Sequence, residues 1–178
     1  MKFSIRTIVP TDFEVVNNLV TASYPKGASR AAMIERLRQW DNYNPQFEVV
    51  AQSSDNGQVI GHSLMIPVQV SGMGNDYQIV SVISIIVDPA YQHHAVGQGI
   101  LHELESRAQL AGYPAVSAID SGDFFFNSGY VAGENFNLLS TMPVDIYSNL
   151  VKQLRDGSLY NKGGKIYYPD EYFGIDHS

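Results

Sequence analysis

The sequence predicts an α/β fold of the α+β kind, a mixed β-sheet covered by helices, and three observations predict it. Segments with strand character alternate with segments of helical spacing. A long hairpin, residues 47–51 and 58–70, turns at Asp55-Asn56-Gly57. The β-branched run VISIIV at residues 82–87 stops at Asp88-Pro89 and feeds a glycine-bearing loop into a helix.

Taken in order, residues 2–8 read as the first strand, and Pro10-Thr11-Asp12 is a helix-start signal. A helix follows over residues 12–23 with Phe13, Val16, Leu19 and Val20 on its apolar face, until Tyr24-Pro25-Lys26-Gly27 breaks it. A second helix is expected over residues 29–40, turning Met33, Leu37 and Trp40 inward and Arg30, Arg36 and Arg38 to water. Residues 41–45 are a loop before the hairpin, and Ser71-Gly72-Met73-Gly74-Asn75-Asp76 turns the chain into a strand over residues 77–87. Ile100, Leu101, Leu104, Ala108 and Ala111 mark a helix over residues 96–111, ended by Gly112-Tyr113-Pro114. Residues 115–119 are a further buried strand, residues 123–128 a single helical turn, and residues 135–141 a strand. Residues 144–154 have helical spacing, and residues 165–168 are expected to close the sheet. No repeat, low-complexity tract or linker interrupts this pattern. Residues 1–178 are therefore expected to form one domain, with residues 144–178 an extension completing the sheet.

Composition bounds the function. A chain of 178 residues can bury roughly two-thirds of its unfolded surface. There are no cysteines, so disulfides, thiolate metal sites and a cysteine nucleophile are excluded. No 18-residue apolar run spans a membrane, and MKFSIRTIVPTDFE lacks the apolar core of a signal peptide, so a cytoplasmic location is expected. The net charge of -7 argues against nucleic acid as a partner and is compatible with a cationic or amine substrate.

The run from the strand into Ala95-Val96-Gly97-Gln98-Gly99 carries the chemistry. A helix N-terminus entered through a glycine turn presents unpaired backbone N–H groups and a positive dipole end, a socket for phosphate or pyrophosphate. It is no dinucleotide fingerprint, because His102 stands where the third glycine belongs, and no Walker loop, because Gly164-Lys165 continues into Ile166.

Gln92-His93-His94-Ala95-Val96-Gly97, preceded by V-D-P-A-Y, resembles the Q/R-x-x-G-x-G/A signature of the GNAT family of N-acetyltransferases, with Ala95 at its first glycine. The resemblance extends to FSIRTIVPTDFEVVNNLVTASY, to the hairpin FEVVAQSSDNGQVIGHSLMIPVQV and to AVSAIDSGDFFFNSGYV. The tail with Leu154-Arg155-Asp156-Gly157-Ser158-Leu159 and Gly164-Lys165-Ile166-Tyr167-Tyr168-Pro169 is similar to the uncharacterised YhbS-like subgroup. It implies a mostly antiparallel, six- to seven-stranded sheet splayed between strands 4 and 5, and acetyl-CoA as cofactor. The pantetheine arm would lie along Ile85, Ile86 and Val87, and the pyrophosphate on the amides of Val96, Gly97, Gln98 and Gly99. Gln92, His94, Ala95 and Phe125 complete the implied cofactor-binding set.

Transfer of an acetyl group to an amine needs a route for the amine proton, a donor to the departing thiolate and polarisation of the thioester carbonyl. The family's usual donor is a tyrosine four residues before the glycine of a G-F or G-Y pair. Counting back from Gly129 gives Phe125, which holds no proton to donate. Asp120, at the end of the fifth strand, is the candidate catalytic residue, as base or amine contact, with a turn-forming role as the alternative. Asp123 reads as a helix cap, Glu48 as a weaker base, and Tyr130 as core. His93-His94 is a solvent-facing pair with no third residue spaced to complete a metal site, and His102 and Glu105 read as a solvated helix face.

The reading is an N-acetyltransferase acting by direct transfer to an unidentified small-molecule or protein amine. Its rivals are a non-catalytic acyl-CoA-binding or regulatory domain of the same fold, which Phe125 supports, and a protein holding a nucleotide on the same helix N-terminus. The aromatic tail (Tyr160, Tyr167, Tyr168, Tyr172, Phe173) reads either as part of the acceptor site or as a homodimer contact.

Overall fold

The computed structural model describes residues 1–72 and 74–174; Met73, within the turn expected at residues 71–76, and the last four residues of the expected domain lie outside the described residues. Among the described residues, nine strands form one mixed sheet in the order β1-β2-β3-β4-β5-β8-β6, with β9 paired to both β3 and β7. The strands are β1 (Phe3–Thr7), β2 (Glu48–Ser53), β3 (Val59–Gly72), β4 (Asn75–Val87), β5 (Ala115–Ile119), β6 (Val131–Ala132), β7 (Leu138–Ser140), β8 (Asn149–Gln153) and β9 (Gly164–Tyr167). The helices are α1 (Phe13–Ser23), α2 (Gly27–Arg38), α3 (Val96–Leu110), α4 (Phe124–Asn127) and α5 (Asp170–Phe173). Antiparallel pairing dominates, as expected; β4 with β5 and β7 with β9 are parallel. The count exceeds the six or seven strands expected because β6 and β7 are only two and three residues long, too short to leave a periodic signal.

The chain divides into two compact units. The first holds Met1–Met65, Ser84–Leu104 and the chain from Asp170. In it β1 pairs antiparallel with β2, from Phe3↔Ser53 to Thr7↔Val49, and β2 with the start of β3, from Glu48↔Leu64. Val16, Val20, Ile34 and Leu37 of the first two helices are buried, and so are Val49, Val50, Ile60 and Leu64 of the sheet. Hydrophobic residues placed every three or four positions along α1 and α2 bury one face of each helix.

The second unit holds Ile66–Ile83 and Glu105–Pro169. Here β4 pairs with β5 at Val80↔Val116, Ser81↔Ser117 and Val82↔Ala118, and the ladder ends there although β4 runs on to Val87. That early end is the splay the resemblance implied. The helix expected over residues 144–154 is instead a 3-10 turn, Ile146–Ser148, followed by β8. Leu150 and Val151 are fully buried, and β8 is paired on both edges, by β5 and by β6. Leu150 and Val151 follow Ile146 and Tyr147 by four positions, the spacing of a helical stripe, and the two edge ladders decide for the strand.

Candidate active site

The loop that joins β4 to α3 is built from backbone. Asp88 N–H bonds the Ile60 carbonyl at 2.8 Å, and the Asp88 carboxylate accepts from Ala90 N–H at 2.9 Å, starting the 3-10 turn Pro89–Tyr91. His93 and Ala95 then take left-handed conformations, with φ of 72° and 60°. Left-handed residues turn successive N–H groups to one side, and they lead here into Val96, Gly97 and Gln98, the first residues of α3, whose N–H groups have no acceptor within the helix. Gly99 N–H returns to the Ala95 carbonyl at 3.0 Å and closes the first turn. Ala95 therefore adopts the conformation that the signature's first glycine would favour, at the steric cost its methyl imposes.

The side chains of this loop divide by exposure. Val96 is buried and anchors the helix, whereas Gln92, His93, His94, Ala95 and Gln98 are exposed. Gln92 donates to the Val87 carbonyl at 3.3 Å. A β-carbon on Gly99 would lie 3.1 Å from the Phe3 ring and 3.3 Å from Ile5, so this glycine serves close packing of α3 on β1.

Along β4 the edges alternate. Asp88 N–H faces β3, so the period of two turns the N–H and C=O of Ile85 to the opposite edge. Tyr24 occupies that edge: its hydroxyl oxygen accepts from Ile85 N–H at 3.2 Å, lies 3.2 Å from the Ile85 carbonyl oxygen and 3.2 Å from Ser84 Oγ. The turn Tyr24-Pro25-Lys26-Gly27 places it, with Gly27 N–H bonding the Tyr24 carbonyl at 3.0 Å. A β-carbon on Gly27 would lie 2.0 Å from the Thr21 carbonyl oxygen, so only glycine lets α2 begin there. The Arg30 guanidinium lies 4.8 Å from the centroid of the Tyr24 ring. Sequence reading saw in Tyr24 only a helix break, and no linear signal links it to a partner 61 positions away.

Glu48, the weaker base candidate, is fully buried and saturated. Arg38 holds it through Nε at 3.1 Å and Nη2 at 2.6 Å, Tyr43 donates at 2.6 Å, and His62 Nε2 lies at 2.8 Å. Burial alone would raise its pKa, but hydrogen bonds from His62 and Arg38 overcome that and hold the carboxyl at about 2. Arg38, expected in water, is 8% exposed and lies 4.0 Å from the Phe13 ring centroid, because the buried carboxylate requires a partner.

In the second unit Asp120 is half-buried just beyond β5; its N–H bonds the Ser148 carbonyl at 3.0 Å, and its carboxylate accepts no hydrogen bond among the described residues. Asp123 stands at the N-cap of α4 without a side-chain cap bond. Phe125 is buried, its ring edge-on to Phe124 and Tyr130 at 5.1 and 5.0 Å. Tyr130 is core as read, its hydroxyl donating to Glu105 at 3.0 Å. Glu105 corrects its solvated assignment: it is 7% exposed and also bonded by Lys152 at 3.1 Å. Burial first, then the Glu105 charge, drives the Tyr130 pKa upward, so this phenol keeps its proton.

A family model, the acetyltransferase (GNAT) family, matches residues 13–123. The chain belongs to the GNAT family. It is similar to the uncharacterised N-acetyltransferase YhbS of Escherichia coli K12, 26% identical over 168 residues, which are 94% of this chain and 97% of that protein. Its fold is that of the crystal structure of the GNAT family N-acetyltransferase YhbS from Escherichia coli in complex with CoA, with a TM-score of 0.86, 24% identity, 98% of this chain and 93% of that chain. A GNAT family acetyltransferase from Brucella melitensis, in complex with acetyl-CoA, superposes with a TM-score of 0.71 at 16% identity, covering 96% of this chain and 98% of that one. No helix among the described residues is long and apolar enough to cross a membrane.

Proposed function

We propose that this chain is an acetyl-CoA-dependent N-acetyltransferase that moves an acetyl group directly to the amine of a small molecule or protein. The observation that carries the reading is the β4–α3 loop, where His93 and Ala95 turn the backbone into the N–H groups of Val96, Gly97 and Gln98. When bound, acetyl-CoA supplies an acetyl group activated as a thioester. The α3 amides would hold the pyrophosphate, with Gly97 adding no side chain there and Gln92 and His94 at the rim. Ile85, Ile86 and Val87 offer the extended edge along which the pantetheine arm lies, and Ile85 N–H polarises the acyl carbonyl. Phe125 contributes only an apolar wall.

Asp120, or water ordered beside it, takes the proton from the acceptor amine. With the thioester bound, the amine so deprotonated would form the new C–N bond as the C–S bond breaks, sulfur leaving with the bonding pair. The net charge of -7 favours a cationic acceptor's approach. Residues 1–178 act in this reading as one N-acetyltransferase domain of the cytoplasm.

A thermal-shift titration with acetyl-CoA, coenzyme A, ATP and NAD tests it. A ligand at about 100 times its Kd stabilises the native state by roughly 2.7 kcal/mol, a shift of several degrees. Stabilisation by acetyl-CoA followed by acetyl transfer in an amine panel is expected. Coenzyme A binding without turnover on any amine would favour a non-catalytic acyl-CoA-binding domain, the reading that Phe125 favours. Stabilisation by ATP or NAD alone would overturn the cofactor.

A further inference from the structure

We propose that Tyr24 is a further catalytic residue: its hydroxyl is the side-chain donor to the acyl oxygen that Ile85 N–H receives. This rests on the acetyl-CoA reading above. The Tyr24 phenol oxygen now accepts the Ile85 N–H at 3.2 Å, the bond an acyl oxygen would accept in its place. An acyl oxygen there displaces the phenol by roughly one O···O hydrogen-bond length, about 2.7 Å. The hydroxyl donates to the Ile85 carbonyl at 3.2 Å, and Ser84 Oγ lies 3.2 Å away as donor or acceptor. Turning the hydroxyl proton toward the arriving oxygen changes Tyr24 from acceptor to donor without breaking a covalent bond. Two donors, Ile85 N–H and Tyr24 O–H, then face one oxygen as its charge grows.

Other features favour this residue. Tyr24 is half-buried, so it can shift without opening the core, and the guanidinium 4.8 Å from its ring centroid favours a polarised phenol. Its neighbour Pro25 limits the backbone, which confines the movement to the side chain. The hydroxyl of Tyr130 is already committed to Glu105.

The test needs no acceptor. Infrared difference spectra of acetyl-CoA labelled with ¹³C at the acyl carbonyl are recorded on wild type and on Tyr24→Phe, both checked by circular dichroism and titrated for acetyl-CoA affinity. The carbonyl band of the bound cofactor is expected below its free position in wild type, with part of that displacement lost in Tyr24→Phe while Kd stays within about threefold. Hydrolysis of acetyl-CoA, read as released thiol, is expected to fall about 10²–10³-fold in kcat with KM little changed, the cost of one donor to a developing oxyanion. Tyr24→His, which keeps a ring N–H, is expected to recover part of the band displacement and serves as the comparison should the Phe variant fail to fold. A band at the wild-type position in Tyr24→Phe, or one in Tyr24→His no nearer the wild-type position than in Tyr24→Phe, overturns the proposal. Wild type that does not bind acetyl-CoA overturns the cofactor reading itself, an outcome distinct from either.

Discussion

Glu48 and Asp120 are both carboxylates at the end of a strand of the same sheet, yet their surroundings differ sharply. Glu48 opens β2 with no exposed surface and with Arg38, Tyr43 and His62 around its two oxygens. Asp120 follows β5, half-buried, with its oxygens unpaired among the described residues. A base needs an accessible lone pair and a pKa near the working pH; Glu48 has neither. What a carboxylate can do is set by the donors already committed to it, and strand position alone says little.

The comparison can be broken most sharply at Glu48. Glu48→Gln leaves Arg38 and His62 buried without their anion and is expected to cost about 3–5 kcal/mol, read as the shift of a urea unfolding midpoint; a loss below about 1 kcal/mol would end its structural assignment. Asp120→Asn is expected to do the reverse. Stability should stay within about 0.5 kcal/mol, while acetyl transfer falls about 10²–10⁴-fold. An unchanged rate would remove Asp120 from the reaction.

Acid titration sharpens the same contrast. The Glu48 carboxyl moves from the ordinary value of 4.5 to about 2 on folding, so its contribution is complete above the unfolded value and is lost as pH falls from about 4.5 toward 2. About 3 kcal/mol should disappear over that window in urea titrations, and the Glu48→Gln protein should lack this component. The smallest effect is at the loop. Ala95→Gly relieves a φ of 60° at the cost of a freer unfolded chain, and should raise stability by no more than about 1 kcal/mol, measured as Tm.

Much of this architecture was legible because it is written in local periodicity. The β-branched β4, the apolar stripe of α3 and the Asp55-Asn56-Gly57 turn each carry their signal within a few residues, and the β4–α3 loop, being made of backbone, shows through its small residues. What was not legible depends on pairing across the chain. Residues 149–153 carry a pattern that suits helix or strand, and only the ladders to β5 and β6 decide it. Arg38 and Glu105 looked solvated because their spacing follows the polar face of a helix, and their partners, Glu48 and Lys152, lie on other elements. Tyr24 was hidden for the same reason, since its partners lie on β4.

Gly99 carries a consequence of its own. Because α3 rests so closely on Phe3 and Ile5, alternate residues on one face of β1, the loop that opens α3 is mechanically coupled to that strand. Ordering of the loop and ordering of the strand favour each other by one shared coupling free energy, so fraying of the strand loosens the loop as well. If acetyl-CoA fills the loop as proposed, the backbone amides of residues 3–7 are expected to report it through slower hydrogen exchange.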